Sequence, residues 1–374
     1  MSIKSSIQQN LVLLPGWRTK RKIVVFESDD WGTIRMPDAI TLKALSNKNP
    51  ALLDDPMCRV DSLECNNDLV ALFDVLKSVK DSKGNNAVLT ANTIVANPDF
   101  DKIAASGYNQ YFYENFTDTL RRYPARDLVH QLITEGITAG LYRPQFHGRE
   151  HVNIDQWLKA LKNNHPELME AFKYGVFGIP ISDKNTKRKN LMSALDFEDF
   201  KEAEGKKQII QDGLQIFNDI FGFSSRSFIA TTYIWHPGIE QSLSEHGVKY
   251  LQGISYQYIP SPGADWYKRK FHYTGQKNKY GQTYLTRNAF FEPSMMPGKD
   301  VIGECLRRIE LAFRWRKPAI IGSHRLNFIG SIDEKNRTGN LRLFCELLHR
   351  IQSAWPNVEF MSTDQLGDLI KFKN

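Results

Sequence analysis

The sequence has few of the features that would place it in a specialised class. Its 374 residues include only four cysteines, and none forms a C-x-x-C pair, so a zinc ribbon or dithiol redox motif is not expected. Scattered thiols are typical of a reducing compartment. No apolar run approaches the ~18 residues of a membrane-spanning helix, and the run at 11–14 is too short for a signal-peptide core. We therefore expect a cytoplasmic protein without a transmembrane segment.

The sequence also lacks a helix-turn-helix, zinc-finger or RNA-binding signature, which argues against nucleic acid as a partner. There are 49 Lys and Arg against 42 Asp and Glu, a formal net charge of +7. The basic residues cluster in runs that fit solvated loops and helix ends, and that also fit an anionic partner such as a lipid-linked or nucleotide-linked substrate, or peripheral contact with a membrane. These runs are 18–22, 184–189, 268–270 and 314–317.

Strand-like and helical segments alternate along the chain, and there is no internal repeat. This alternation predicts parallel βαβ units, and seven or eight of them favour a closed α/β barrel over an open sheet. Helical periodicity is clear at 68–80, 301–315 and 341–351. The predicted strands are 23–26, 87–96, 137–142, 227–234, 248–254, 284–291, 319–322 and 358–361.

Three groups of chemically capable residues follow predicted strands. Asp29 and Asp30 end the first strand, the segment HGREH (147–151) follows the strand at 137–142, and His324 follows the strand AIIG. In a parallel barrel the carboxyl ends of the strands share one rim, and active sites are built there. Each group alone also has an ordinary structural explanation, as a helix cap, a surface turn or a buried histidine, but their joint position favours function.

The residue types in these groups are those of a catalytic metal site. His147 and His151, at i and i+4, can face the same side of a helical turn. With one carboxylate they form a ligand set that leaves positions open for water. If Asp30 binds the cation, the positive charge of the cation offsets the repulsion between Asp29 and Asp30. Asp29 is then left as a nearby base. Water bound to such a metal has a lowered pKa and becomes a nucleophile.

The order of these segments resembles the polysaccharide deacetylase family, also called NodB-homology esterases. The family's strand ending Thr/Ser-Phe-Asp-Asp-Gly corresponds to ESDDWG, with Trp31 inserted before Gly32. Its His-Ser/Thr-x-x-His motif corresponds to HGREH, and its Leu-x-His strand end to the end of AIIGSH. The closing VEFMSTDQLGDLI is similar to the family's last strand and helix. The match covers 22–370, and the chain is identified as a divergent member.

The resemblance implies a fold, a cofactor and a reaction. The fold is a distorted (β/α)₇ barrel of the α/β class, formed by residues 1–374 as one catalytic domain with insertions at about 38–86 and 160–225. The cofactor is one divalent metal, most often Zn²⁺, although Co²⁺, Ni²⁺ and Mn²⁺ suit the same ligands. The reaction is hydrolysis of an N- or O-acetyl group on a carbohydrate.

The resemblance also implies roles by position. Asp30, His147 and His151 bind the metal, Asp29 is the general base, and His324 is the general acid. The chain departs from the family in two places. The Arg-Pro motif that orients the base is absent, which leaves Arg226 or Arg325 as candidates for that role. The aspartate that tunes the catalytic histidine is not evident in LQGISYQYIP.

Further side chains near strand ends are candidates for substrate binding. The aromatic ones could stack on sugar rings, although aromatic residues are more often part of a core. Arg325, directly after the predicted acid, could contact the substrate. The aromatic candidates are Trp31, Tyr233 and Trp235.

Two other functions remain open at this point. A non-catalytic carbohydrate-binding protein could use the same barrel, because a fold alone does not imply activity. HGREH also fits H-x-x-E-H, the inverted zinc-protease motif, with Glu150 as base. That motif requires a helix, which Pro144 and Gly148 disfavour, and it leaves Asp29 and His324 without a role.

Overall fold

The computed structural model describes residues 9–181, 190–264 and 266–372, so the basic run 184–189 lies outside the described residues. The main sheet has nine strands, all paired in parallel. These are β1 (Lys22–Trp31), β2 (Leu89–Ile94), β5 (Tyr142–Gly148), β6 (Ser227–Phe228), β7 (Tyr250–Gly253), β10 (Thr283–Thr286), β11 (Ala289–Phe290), β12 (Ala319–His324) and β13 (Val358–Phe360). Two antiparallel pairs complete the strands, β3 (Ala96–Pro98) with β4 (Tyr113–Asn115) and β8 (Tyr256–Ile259) with β9 (Lys268–Phe271).

The sheet closes into a seven-membered ring. Its hydrogen-bonded order is β10-β7-β6-β5-β2-β1-β12-β11, and β13 pairs with the start of β1. The two end strands of this order, β10 and β11, are consecutive in the chain and are separated only by Arg287 and Asn288. The continuous segment formed by β10 and β11 therefore pairs with β7 through its first half and with β12 through its second half. The expected distorted (β/α)₇ barrel is thereby confirmed.

Helices cover the outside of the barrel, as expected for βαβ connections. The side chains of β1 alternate accordingly: Val24 and Phe26 pack in the cluster beneath the helices, and Ile23 and Val25 pack in a separate smaller cluster. No helix of the described residues is both long and apolar enough to cross a bilayer. The helices are Ala39–Ser46, Pro56–Arg59, Asn66–Lys77, Phe100–Ala105, Phe116–Arg122, Val129–Thr138, Ile154–Lys162, Pro166–Lys173, Glu202–Phe221, Glu240–Glu245, Val301–Arg314, Glu334–Ala354 and Thr363–Phe372.

Two predicted strands were wrong in extent or place: 227–234 is a strand only at Ser227–Phe228, before a 3₁₀ turn at Thr231–Tyr233, and 137–142 lies too early in the chain. Residues 137–142 end the helix Val129–Thr138 and lead into β5, which begins at Tyr142 and contains His147. Pro144 explains the error, because proline lacks the N–H that a central strand normally donates and so argues against a strand in the sequence. In the structure Pro144 lies opposite Ala91 of β2, inside the barrel wall.

The two segments predicted as insertions contribute to one hydrophobic cluster beside the barrel. Leu42, Leu45 and Leu52 come from the first, and Leu168 and Phe172 come from the second. Apolar packing on this scale contributes roughly 1.5–3 kcal/mol for each fully buried large side chain, so the two segments stabilise each other. The description of 38–86 and 160–225 as insertions in a single domain stays a prediction.

Candidate active site

A bulge at the end of β1 turns two adjacent carboxylates toward one cavity. In a regular strand Asp29 and Asp30 would point to opposite faces. The pairing of β1 with β2 shifts register between Ser28 and Trp31, and Asp30 has φ of 75°, in the left-handed region that aspartate tolerates better than most residues. Gly32 then completes the turn, where a Cβ would clash with the carbonyl oxygen of Ile94. Both aspartates therefore line the cavity.

Asp30, His147 and His151 form the predicted cluster. Asp30 Oδ1 lies 3.3 Å from His147 Nε2 and 3.1 Å from His151 Nε2, and one ligand atom from each residue falls within 4.8 Å of the others. Burial lowers the pKa of His151 to about 4, so its ring is neutral at pH 7. Burial alone would raise the pKa of Asp30, but Arg35 and His151 hold it well below its usual range. A buried carboxylate and two imidazoles suit a divalent transition metal.

The second nitrogen of His147 supports this assignment. Its Nδ1 lies 2.9 Å from the carbonyl oxygen of Ile229, which favours a proton on Nδ1 and a free lone pair on Nε2. The two histidine rings meet although no helical turn joins them. His147 belongs to β5, Gly148 has φ of 147°, and the next helix begins at Ile154. The helical-turn explanation for the pair was therefore wrong, while the pair itself forms.

Asp29 is held by an arginine that the sequence analysis missed. Arg287 donates from Nη2 to Asp29 Oδ1 at 2.6 Å and from Nη1 to Oδ2 at 2.7 Å, and Asn92 donates to Oδ1 at 2.8 Å. Arg287 Nε also donates to the buried Glu27, at 2.7 Å. Burial alone would raise the pKa of Asp29, but Arg287, together with His147 and His324, lowers it to about 2. Asp29 is thus ionised at any working pH.

His324 is held by a second missed residue, Glu292. Glu292 Oε1 lies 2.6 Å from His324 Nδ1, and Asn327 donates to Oε2 at 2.7 Å. Burial alone would lower the pKa of His324, but Glu292 and the two aspartates of the cavity raise it to about 10. His324 Nε2 lies 4.0 Å from Asp29 Oδ2. The site therefore pairs an ionised carboxylate with a protonated imidazole, the separation of pKa values that acid–base pairs use.

The arginines proposed from sequence to orient the base lie elsewhere. Arg226 binds Asp368, and Arg325 binds Asp61 and Glu64. Arg287 takes the role instead, from the segment TRNAFFEP that also supplies Glu292. Arg287 lies inside the predicted strand at 284–291 and Glu292 directly follows it, so a position at a strand end was an available signal for Glu292 alone.

Three of the four predicted substrate-binding side chains do not fit this geometry. Trp31 and Arg325 have no exposed surface, and Trp235 retains 3%. Trp31 Nε1 donates to Ser28, and its ring contacts Tyr142, so it packs in the core. None of the three lines the cavity, so none has a face to offer a sugar bound there, which corrects these three predictions.

The fourth candidate, Tyr233, lines the cavity, which has a volume of about 470 Å³. Charged and apolar side chains both line the cavity. The wall residues outside the catalytic group include Met57, Ile179, Ile181, Leu191, Met192 and Ala230.

The protease alternative loses its structural basis. HGREH is not helical, because it begins within β5 and the next helix along the chain begins only at Ile154. Glu150 is buried against Arg149, which donates from Nε at 2.6 Å, and it is absent from the cavity lining. Glu150 therefore forms an ion pair with Arg149 outside the cavity.

Replacing Glu292 by glutamine is expected to lower the pKa of His324. A raised pKa contributes stability that is fully present below the usual histidine value of ~6.5 and is lost as pH rises through about 10. In the variant this loss should occur at lower pH, and the basic limb of any rate–pH profile should shift the same way. NMR titration of His324 measures the pKa directly. Glu310→Gln, which removes an exposed ion pair with Arg314, is the control, and equal profiles for both variants would contradict the pairing.

Comparison with known proteins supports the fold. No family model and no curated protein matches the chain. The structure is similar to that of a protein described as a glycoside hydrolase/deacetylase from Parabacteroides distasonis, with a TM-score of 0.50 and 6% identity over 95% of this chain and 73% of that one. It also matches two proteins described as polysaccharide deacetylases. The one from Mycobacterium smegmatis has a TM-score of 0.45 and 13% identity over 96% and 93% of the two chains. The one from Pseudomonas aeruginosa PAO1 has a TM-score of 0.44 and 9% identity over 95% and 93%. All three names are inferred assignments, and the resemblance to deacetylases is confirmed at the level of the fold.

Proposed function

We propose that this chain is a metal-dependent hydrolase that removes an acetyl group from a nitrogen or oxygen of a carbohydrate. One observation carries the proposal: the buried cluster of Asp30, His147 and His151 lies in the same cavity as Asp29 and His324, and each of the last two has its own buried partner. A binding protein would not need an ionised carboxylate 4.0 Å from a protonated imidazole.

The roles of the residues follow from their charge states. Arg287 and Asn92 fix both oxygens of Asp29, so this carboxylate is oriented to accept a proton from the attacking water. The Nδ1–H of His324 donates to Glu292, and the raised pKa of the ring keeps a second proton on Nε2, which is available to the leaving nitrogen or oxygen. Arg287 and Glu292 do not line the cavity and act by positioning.

The metal would be held by Asp30, His147 and His151. A divalent ion there would supply Lewis-acid polarisation of the acyl oxygen and a lowered pKa for a bound water. The ligand set suits Zn²⁺, Co²⁺, Ni²⁺ or Mn²⁺, and we propose Zn²⁺ as the ion in the active protein.

The substrate class is proposed from the fold and the cavity together. The deacetylase-type barrel supports an acetylated carbohydrate, and Tyr233 supplies an aromatic ring in the cavity wall. A lining that combines charged and apolar side chains suits a sugar ring whose acetyl group reaches Asp29 and His324.

The first test is metal content. Elemental analysis of the purified chain is expected to find about one divalent ion per protein, and His151→Ala should lose it together with hydrolysis of an acetyl ester. His130→Ala, at an exposed helical position, is the matched control and should keep both. Removing metal with a chelator and restoring Zn²⁺ should switch the hydrolysis off and on.

Equal metal content in the wild type and the His147/His151 double variant would contradict the metal site. Full metal content without turnover of any acetylated sugar or generic acetyl ester would instead favour the carbohydrate-binding alternative.

A further inference from the structure

Arg35 is a charged side chain in the cavity whose hydrogen-bonding capacity is only partly used. It follows the turn after Asp30, it is 7% exposed, and it lines the cavity. Nη2 donates to Asp30 Oδ2 at 3.0 Å. Nη1 reaches only the sulfur of Met192 at 3.2 Å, a weak acceptor. Nε is buried without any hydrogen-bond partner.

The neighbouring carboxylates do not supply the missing acceptors. Asp61 Oδ2 is 3.8 Å from Arg35 Nε, too far for a hydrogen bond, and both of its oxygens accept from Arg325, at 3.1 and 3.0 Å. Asp55, also in the cavity wall, accepts from the backbone N–H of Met57 and from Cys58 Sγ. Buried donors are rarely left unpaired, and Nε itself has no exposed surface, so an acceptor that enters through the cavity is expected at the terminal nitrogens of Arg35.

Met192 covers the face of Arg35 that lies toward Gly178. A Cβ at Gly178 would lie 2.5 Å from Met192 Sδ and 3.3 Å from Arg35 Nη1, so the sulfur and the guanidinium lie on the same side of the glycine. Met192 is flexible and apolar, offers no competing charge, and can give way to an acceptor that approaches Nη1. Asp29 is already held through both oxygens by Arg287, so it does not draw on Arg35.

We propose that Arg35 binds an acidic substituent of the substrate, a carboxylate or phosphate carried by the sugar near its acetylated position. This inference rests on the proposed function for the reaction and adds the substrate class. A guanidinium offers planar, paired donors that match the oxygens of either anion. A neutral sugar hydroxyl would leave most of that capacity unused.

The test compares matched substrates that differ at one carbon: an O-acetylated methyl hexoside, the corresponding hexuronide, and the 6-phosphate of the hexoside. Hydrogen bonds to charged groups contribute about 1.5–3 kcal/mol, or roughly 10- to 100-fold. The wild type should therefore favour at least one acidic substrate over the neutral one in kcat/KM by that factor. Arg35→Met should reduce this preference to near unity, and Arg35→Lys should keep part of it. The acidic substrate that is preferred identifies carboxylate or phosphate.

The ratio of kcat/KM for an acidic substrate to kcat/KM for the neutral one separates substrate recognition from structural damage. A purely structural defect or a loss of metal lowers both values together. Metal content is measured for each variant, and calorimetry with the deacetylated hexuronide gives a binding readout that needs no turnover. A wild type that hydrolyses the neutral ester and shows no acidic preference would overturn the inference and leave the proposed function intact. Arg35-dependent binding of the hexuronide without any hydrolysis would support the inference and contradict the proposed function. If Arg35→Met does not fold, the wild-type ratio and Arg35→Lys decide.

Discussion

Replacing Arg287 by methionine is expected to destabilise the protein by about 3–5 kcal/mol, the usual cost of breaking a buried ion pair from one side. The side chain of Arg287 has no exposed surface and bridges Glu27 and Asp29, of which Glu27 is equally buried. Without it two neighbouring carboxylates remain in a low-dielectric interior. Urea unfolding followed by circular dichroism measures the loss. Arg226→Met, which breaks a half-exposed pair with Asp368, should cost only ~0–1 kcal/mol and is the control.

The pH dependence gives this prediction a second signature. In the wild type the depressed pKa of Asp29 contributes stability that is present above the usual value of ~3.9 and is lost as pH falls through about 2. In Arg287→Met burial dominates, the pKa of Asp29 rises, and the variant should be less impaired at pH 5 than at pH 8. Adding Glu27→Gln and Asp29→Asn to the variant should recover part of the loss. A cost below about 1 kcal/mol at every pH would contradict the bridge.

The catalytic groups could be predicted from the sequence because each lies at the end of a strand. Asp29, Asp30 and His324 follow short apolar runs that only a buried strand explains, and parallel strands bring their carboxyl ends to one rim. His147 was found for the same reason, even though its strand was placed too early and Pro144 hid the correct one.

The partners of these groups could not be predicted, because they depend on which strands meet across the ring. Arg287 reaches Asp29 because the β10–β11 run closes the barrel next to β12. The close packing is visible at Gly322, where a Cβ would lie 2.7 Å from Arg287 Cδ. A glycine in one strand therefore makes room for an arginine 35 positions earlier in the chain, a coupling that no local pattern contains. Arg226 and Arg325 looked equally suitable in the sequence. In the structure Arg226 forms an ion pair with Asp368, and Arg325 is fully buried.

The substitutions Asp29→Asn and His324→Ala are each expected to lower kcat by about 10²–10⁴-fold, the usual contribution of a general acid or base. Neither residue belongs to the metal cluster, so metal content should stay near that of the wild type. The physical reasons differ. Asp29→Asn removes the acceptor for the proton of the attacking water, whereas His324→Ala removes the donor to the leaving group. Single-turnover rates with an acetylated sugar, beside elemental analysis of the same samples, measure both effects.

An activated acetyl ester separates the two roles. Its leaving group departs as a stable anion and needs no proton, so the ester should restore much of the rate of His324→Ala. It should not restore Asp29→Asn, because water must still lose a proton to attack. The basic limb of the rate–pH profile, set in the wild type by deprotonation of His324, should also disappear in His324→Ala. Rescue of both variants to the same degree, or of neither, would show that the acid and base assignments are wrong even if the metal is bound by Asp30, His147 and His151.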